Sequence, residues 1–256
     1  MSPTVARTCA LACVFAVTAC GERASGEIAL TLLGTTDVHG HLVPYEYATG
    51  EPAPHSLAQV ATLVDSVRRA DPAVLLFDSG DLLQGTPLDE YQARVGRGAV
   101  HPVVAAMNGL GYDASAIGNH EFNYGLPYLH AAIERARFPF LAANIYVEGT
   151  DSLAFRPYAL LEAGGVRVGV IGFTTPGVAI WDRGHVEGRL RFEDIVASAH
   201  RWVPRMREAG AEVVVALAHS GLGPGSSYGA SEGVPEEDAV ARLAEEGPSI
   251  DVIFAG

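Results

Sequence analysis

Four short segments of the chain carry side chains that bind divalent cations. They are Thr36-Asp37-Val38-His39-Gly40, Asp78-Ser79-Gly80-Asp81, Gly118-Asn119-His120-Glu121 and Ala218-His219-Ser220-Gly221. Asp37, His39, Asp81, Asn119 and His219 form an oxygen and nitrogen set with no thiolate, a mix suited to first-row metals such as Mn, Zn, Fe or Co. In Asp37-Val38-His39 the two ligand-type side chains stand two apart and point the same way along an extended segment. The neighbouring glycines permit tight bends around a crowded centre. Two cations sharing one carboxylate would lie about 3.5–4 Å apart and clamp an in-line displacement at phosphorus. Taken singly, each residue also has a plain structural reading: Asp81 as a helix cap, Asp37 and His39 as a cap and a loop histidine.

Their common placement favours the site. Each segment follows an apolar run that reads as a buried strand: Ile28 to Leu33, Ala73 to Phe77, Asp113 to Ile117 and Val213 to Ala218. Open α/β sheets keep their chemistry just beyond the carboxyl ends of such strands. Helices are predicted where apolar residues recur at helical spacing: Leu57 to about Arg69, Pro102 to Leu110, around Tyr128 to Ile133, and Ile195 to Met206 with Pro204 inside it. Gln84 to Pro87 reads as a loop, Phe138 to Asn144 as one strand, Glu236 to Glu246 as a helix and Ile250 to Ala255 as the last strand. Gly164-Gly165, between two apolar runs, signals a hairpin and therefore a mixed sheet.

The 256 residues are 48% hydrophobic, enough for one large α/β domain with a sizeable core. A net charge of −13 argues against nucleic-acid polymers and anionic lipid surfaces as partners, but not against a small phosphate ester held through metals. Residues 1–20 read as an export signal: Arg7, a short apolar stretch, then Val17-Thr18-Ala19-Cys20-Gly21. That run resembles a bacterial lipobox in which Cys20 is lipidated. Residues 21–27 form a linker, and the domain occupies 28–256. The expected product is an exported, envelope-located monomer that meets the membrane only through that lipid.

The order Asp-x-His, Gly-Asp, Gly-Asn-His-Glu and a later His resembles the calcineurin-like metallophosphoesterase superfamily. Asp81 to Pro87, His101-Pro102-Val103 through Met107-Asn108, Gly118 to Leu126, Val168 to Phe173 with Trp181-Asp182, and Ala216 to Gly221 look like a narrower group. That group is the exported 2′,3′-cyclic-nucleotide 2′-phosphodiesterase/3′-nucleotidases, relatives of the 5′-nucleotidases. The resemblance implies a four-layer α/β/β/α sandwich with mixed sheets and two divalent ions. Asp37 and His39 would hold one ion, Asn119 and His219 the other, and Asp81 both. A metal-bridging hydroxide would attack phosphorus, and His120 would stabilise the phosphate or protonate the leaving oxygen. The substrates implied are 2′,3′-cyclic nucleotides and 3′-nucleotides. Two other readings remain at this point: a 5′-nucleotidase or UDP-sugar hydrolase, and a non-catalytic lipoprotein that binds metal or nucleotide.

Two departures from the family pattern stand out. Many 5′-nucleotidase relatives carry Asp three residues after the central His, where this chain has Asn123. The family also continues the last strand with a Gly-His-x-His segment and a further nucleotide-binding domain, whereas this sequence stops at Phe254-Ala255-Gly256. The expectation is an incomplete metal domain with weakened metal affinity and low activity. Glu121 is expected behind the ligands rather than among them, and His101 is expected to fix the start of the helix at Pro102.

Overall fold

The computed structural model describes residues 27–96, 98–228 and 233–256; Cys20 and the apolar stretch before it lie outside them. The first half runs β1 (Thr31–Thr35), α1 (Leu57–Ala70), β2 (Val74–Asp78), α2 (Pro87–Arg94), α3 (Pro102–Leu110), β3 (Ala114–Ala116), a 3₁₀ turn (His120–Phe122), α4 (Leu126–Arg135) and β4 (Phe140–Leu141). The second half runs β5 (Ile145–Val147), β6 (Tyr158–Ala163), β7 (Val166–Thr174), α5 (Val178–Trp181), α6 (Arg183–Val186), β8 (Leu190–Phe192), α7 (Ile195–Glu208), β9 (Val213–His219), α8 (Val240–Glu246) and β10 (Val252–Ala255).

β1, β2, β3 and β4 make one parallel sheet in that order. The second sheet has the order β10-β9-β7-β6; its only antiparallel pair among the described residues is the hairpin of β6 and β7 across Gly164-Gly165. The two sheets face each other across Leu75, Phe77, Leu141, Val168, Val170, Val215 and Leu217. Beyond the first sheet, Val64, Leu76, Val103, Met107 and Leu129 pack α1, α3 and α4 onto its outer face. Beyond the second, Ile171, Phe173, Val203, Met206 and Leu243 do the same for α7 and α8. Side chains alternate along β9, with Val215 and Leu217 between the sheets and Val214, Ala216 and Ala218 under the helices. Burial on both faces explains why this strand is an unbroken apolar run. The architecture is the four-layer α/β/β/α sandwich.

Three segments depart from the sequence reading. The expected strand over 138–144 is cut to Phe140–Leu141, because the buried Asn144 side chain takes over the bonds a ladder would make. Its amide donates to the carbonyls of Thr174 (2.7 Å) and Glu193 (3.2 Å), and its oxygen accepts from Thr174 N (3.0 Å). The chain turns there out of the first sheet, and β5 pairs with β8. Pro87, read as a loop residue, opens α2: Thr86 and Asp89 form a capping box around it. That helix is mostly polar and lacks the apolar stripe that would have marked it. α8 begins at Val240 rather than Glu236, since Glu236 and Asp238 are engaged with Gly225 in the preceding loop.

Asp78, fully buried at the end of β2, receives Gly80 N–H at 2.7 Å and the hydroxyls of Thr35 at 2.6 Å and Ser115 at 3.3 Å. Burial outweighs these donors and carries its pKa up to about 7. A carboxyl whose folded value lies above its unfolded one, about 3.9, leaves stability intact below that value and erodes it as pH rises towards 7. Asp78→Asn removes the charge and nearly keeps the shape. In thermal melts, the melting temperature of the variant relative to the parent should rise by roughly 5 °C between about pH 4.5 and pH 8. A difference that stays flat with pH would show that Asp78 does not carry this penalty.

Candidate metal centre

The carboxyl ends of β1, β2, β3, β7 and β9 share one rim. Register puts Thr35 beside Asp78, Asp78 beside Ser115, and Thr174 beside His219. Three bonds tie the two sheets together there. His219 Nδ1–H donates to the Ser79 carbonyl (3.0 Å), the Ser79 hydroxyl to the Phe254 carbonyl (3.3 Å), and the Thr174 hydroxyl to the Ile117 carbonyl (2.6 Å).

The loops after β1 and β2 run side by side, joined by Asp37 N–H to the Gly80 carbonyl and His39 N–H to the Asp81 carbonyl, both 3.0 Å. Among the described residues, Asp37 (φ 52°), His39 (φ 45°) and Asp81 (φ 66°) are the only non-glycine residues with positive φ. Left-handed backbone costs an L-residue on the order of 1–2 kcal/mol, and such strain gathers at functional sites. All three are residues that the sequence put forward as ligands.

Glu121 sets the shape of the Asp81 loop. Its Oε1 accepts from Leu82 N (2.6 Å) and Leu83 N (3.2 Å), and its Oε2 from Gly118 N (2.6 Å) and Asp81 N (2.9 Å). Burial and the Asp81 charge push the Glu121 carboxyl up, against the pull of the Leu82 and Asp81 N–H donors. Gly118 fits only because it has no side chain: a Cβ there would overlap Asp81 and Glu121.

Asp81 is buried, and its Oδ1 accepts the His120 N–H at 2.8 Å. Its Oδ2 faces three imidazoles: His219 Nε2 at 3.2 Å, His39 Nε2 at 3.8 Å and His120 Nε2 at 3.9 Å. His39 Nε2 also lies 3.6 Å from Asp37 Oδ1, and His219 Nε2 lies 2.9 Å from Asn119 Oδ1. Asp37, His39, Asp81, Asn119, His120 and His219 are thus brought together, through two clusters that share Asp81.

The donor chemistry fits a cation. His39 Nδ1–H donates to the Gln84 carbonyl at 2.8 Å, as His219 Nδ1–H does to that of Ser79. Both imidazoles therefore turn Nε2 inward, towards oxygens that can only accept. Acceptors 2.9 and 3.2 Å apart require positive charge between them or on the nitrogen. Proton affinities reflect the same field. The Asp37 contact carries the His39 pKa up to about 9 against burial, and His39 in turn holds Asp37 down at about 2. Burial works to lower the His219 pKa, but Asp81, Glu121 and Asp37 raise it to about 9.

A sequence profile of the calcineurin-like phosphoesterases matches residues 30–256. The chain belongs to the calcineurin-like phosphoesterase family. Like other calcineurin-like phosphoesterases it presents Asp and His groups suited to divalent metals. It is 38% identical over 251 residues to the trifunctional nucleotide phosphoesterase YfkN of Bacillus subtilis, covering 92% of this chain and 17% of that protein. It is 39% identical over 224 residues to a 2′,3′-cyclic-nucleotide 2′-phosphodiesterase/3′-nucleotidase of Yersinia enterocolitica, covering 83% of this chain and 34% of that one. The crystal structure of YfkN superposes with a TM-score of 0.80 over 89% of this chain and 71% of that chain. This calcineurin-like phosphoesterase chain thus spans about a third or less of the length of these two curated relatives.

His101 starts α3, its Nδ1 accepting Val103 N–H at 3.2 Å. Tyr124 lines a cavity of about 480 Å³ with Gln92, His101, Tyr128 and Arg135, and none of the acceptors above belongs to that lining. Asp182 enters the sequence pattern only beside Trp181, with no role attached to it. It lies at the junction of α5 and α6, and both its carboxylate oxygens contact Asn123 Nδ2. Nothing in local spacing marks a partner 59 residues away.

Proposed function

We propose that this chain is the metal-bearing part of a phosphoesterase that hydrolyses 2′,3′-cyclic nucleotides and 3′-nucleotides with two divalent ions. The observation that carries the reading is the inward convergence of His39 Nε2, His219 Nε2, Asp81 Oδ2, Asp37 Oδ1 and Asn119 Oδ1, all acceptors, on one rim. Asp37 and His39 would hold one ion, Asn119 and His219 the second, with Asp81 shared. Bound metals supply Lewis-acid stabilisation of the phosphoryl oxygens and a water acidified to near neutrality. The chain's own contribution is positional. Glu121 fixes the Asp81 loop, carbonyls fix the two ligand histidines, and His120 Nε2 stands beside the centre to protonate a leaving oxygen.

The 3′/cyclic preference rests on kinship. Relatives named for that activity are 35–39% identical to this chain, and those named 5′-nucleotidase are 32–33% identical. The small-residue run before Cys20 supports export with a lipid at that residue. Phosphate release from 2′,3′-cyclic AMP, 3′-AMP and 5′-AMP, with Mn and with EDTA, tests the reading. Turnover of the first two, abolished by EDTA, is expected. Preference for 5′-AMP would move the chain to the 5′-nucleotidase reading, and metal binding without turnover would make it a binding protein.

A further inference from the structure

We infer that Asp182 is a positioning residue for His120, acting through Asn123. The inference rests on the phosphoesterase reading for its catalytic consequence and on hydrogen-bond geometry alone for its structural content. Asn123 Nδ2 lies 3.0 and 3.2 Å from the two oxygens of Asp182. A carboxylate only accepts, so the amide must turn its NH₂ to Asp182 and its oxygen the other way. That oxygen lies 2.6 Å from His120 Nδ1. Nδ1 must therefore carry the hydrogen, and Nε2 is left as the atom that faces Asp81 Oδ2 at 3.9 Å.

Asp182 is built for this partner. Its backbone closes both short helices: its N–H donates to the Val178 carbonyl at 3.0 Å, and its carbonyl accepts from His185 N (2.8 Å) and Val186 N (3.2 Å). It occupies the N-cap position of α6, where an Asp side chain ordinarily accepts a helix N–H. Here the side chain makes no capping bond, and the buried carboxylate turns both oxygens to Asn123. Asn123 follows the 3₁₀ turn directly, and His120 is held from its other side by its own N–H on Asp81 Oδ1. The imidazole is thus fixed at backbone and at Nδ1, with a negative charge one amide away. Asn123 replaces a direct carboxylate without discarding its charge: the charge stands behind it at the junction of α5 and α6, which follows β7 of the other sheet.

Long-range ¹H–¹⁵N correlation spectra of the metal-free, 256-residue protein at alkaline pH test the geometry without any turnover. The His120 signals are assigned by their loss in His120→Asn. The Nδ1–H tautomer should exceed the other by about tenfold, the value of one well-formed buried hydrogen bond. In Asp182→Ala the excess should vanish or invert. A parent protein already in the Nε2–H form, or an Asp182→Ala spectrum unchanged from the parent, would overturn the inference. The isosteric Asp182→Asn tests the charge with Mn and bis(p-nitrophenyl) phosphate: kcat should fall about tenfold with KM unchanged. Asn123→Asp puts a carboxylate directly on Nδ1, and in that background Asp182→Asn should cost less than twofold. An equal loss in both backgrounds would reduce Asp182 to a purely structural role and overturn the inference. Absence of turnover in every variant would count against the phosphoesterase reading, and the tautomer ratio would still decide the relay.

Discussion

Asp81→Asn should strip the centre of metal. Asp81 Oδ2 faces His39, His120 and His219 together. The substitution keeps size and shape but removes the charge that both clusters share, and the amide presents either a weaker acceptor or an N–H to the cations. Losing a hydrogen-bonded partner behind a ligand costs roughly 10–100-fold in metal affinity, and losing a shared ligand should cost more. Metal content after gel filtration, measured by inductively coupled plasma mass spectrometry, should fall below half that of the parent chain. Phosphodiesterase activity should fall in proportion to the lost metal. The fold should persist, because Oδ1 still finds the His120 N–H and the backbone bonds of the loop are untouched. Full metal content in Asp81→Asn would show that the cations bind elsewhere.

Glu121→Ala should be the most destabilising single change at the site. It removes the acceptor of four buried N–H groups, on Asp81, Leu82, Leu83 and Gly118. Each buried donor left without a partner costs about 1–3 kcal/mol. Relief from burying the carboxylate offsets part of the sum, and the expected loss is about 4 kcal/mol, with a fall of roughly 10 °C in melting temperature. Glu121→Gln keeps one oxygen but sets an NH₂ against two of the donors, so it should recover only part of the loss. Urea unfolding of the metal-free proteins measures this directly. A loss below 1 kcal/mol for Glu121→Ala would mean that the Asp81 loop holds its own shape and that Glu121 is a bystander.

What could be read from the residues, and what could not, follows from where the information lies. Strands buried on both faces must be nearly unbroken apolar runs, so β2 and β9 stand out in the sequence, and with them the polar residues they deliver. Pro102 marks the start of α3, and Gly164-Gly165 marks the turn between β6 and β7, because each performs a backbone task few other residues can. The split after β4 was illegible because it depends on Asn144 meeting Thr174, 30 residues later. α2 was missed because its helical character comes from a capping box and not from an apolar stripe. Within the site, the ligand types and their order were visible, since chemistry dictates them. The backbone there was not: the segment Asp37-Val38-His39, expected to be extended, is left-handed at Asp37 and His39, as is Asp81, because the chain bends back around the centre, and nothing in those residue types requires it. Asn123 read alone looked like a lost charge. Only the folded chain brings Asp182 behind it.

The central claim is that five acceptor side chains on one rim hold a pair of cations. Crystals soaked in Mn or Zn, with anomalous differences collected at the metal edge, test it most directly. Two peaks about 3.5–4 Å apart are predicted, bridged by the Asp81 carboxylate, with Asp37 and His39 on one and Asn119 and His219 on the other. Strong anomalous peaks only at surface carboxylates, with His219 Nε2 still facing Asn119 Oδ1 across an empty gap, would contradict it.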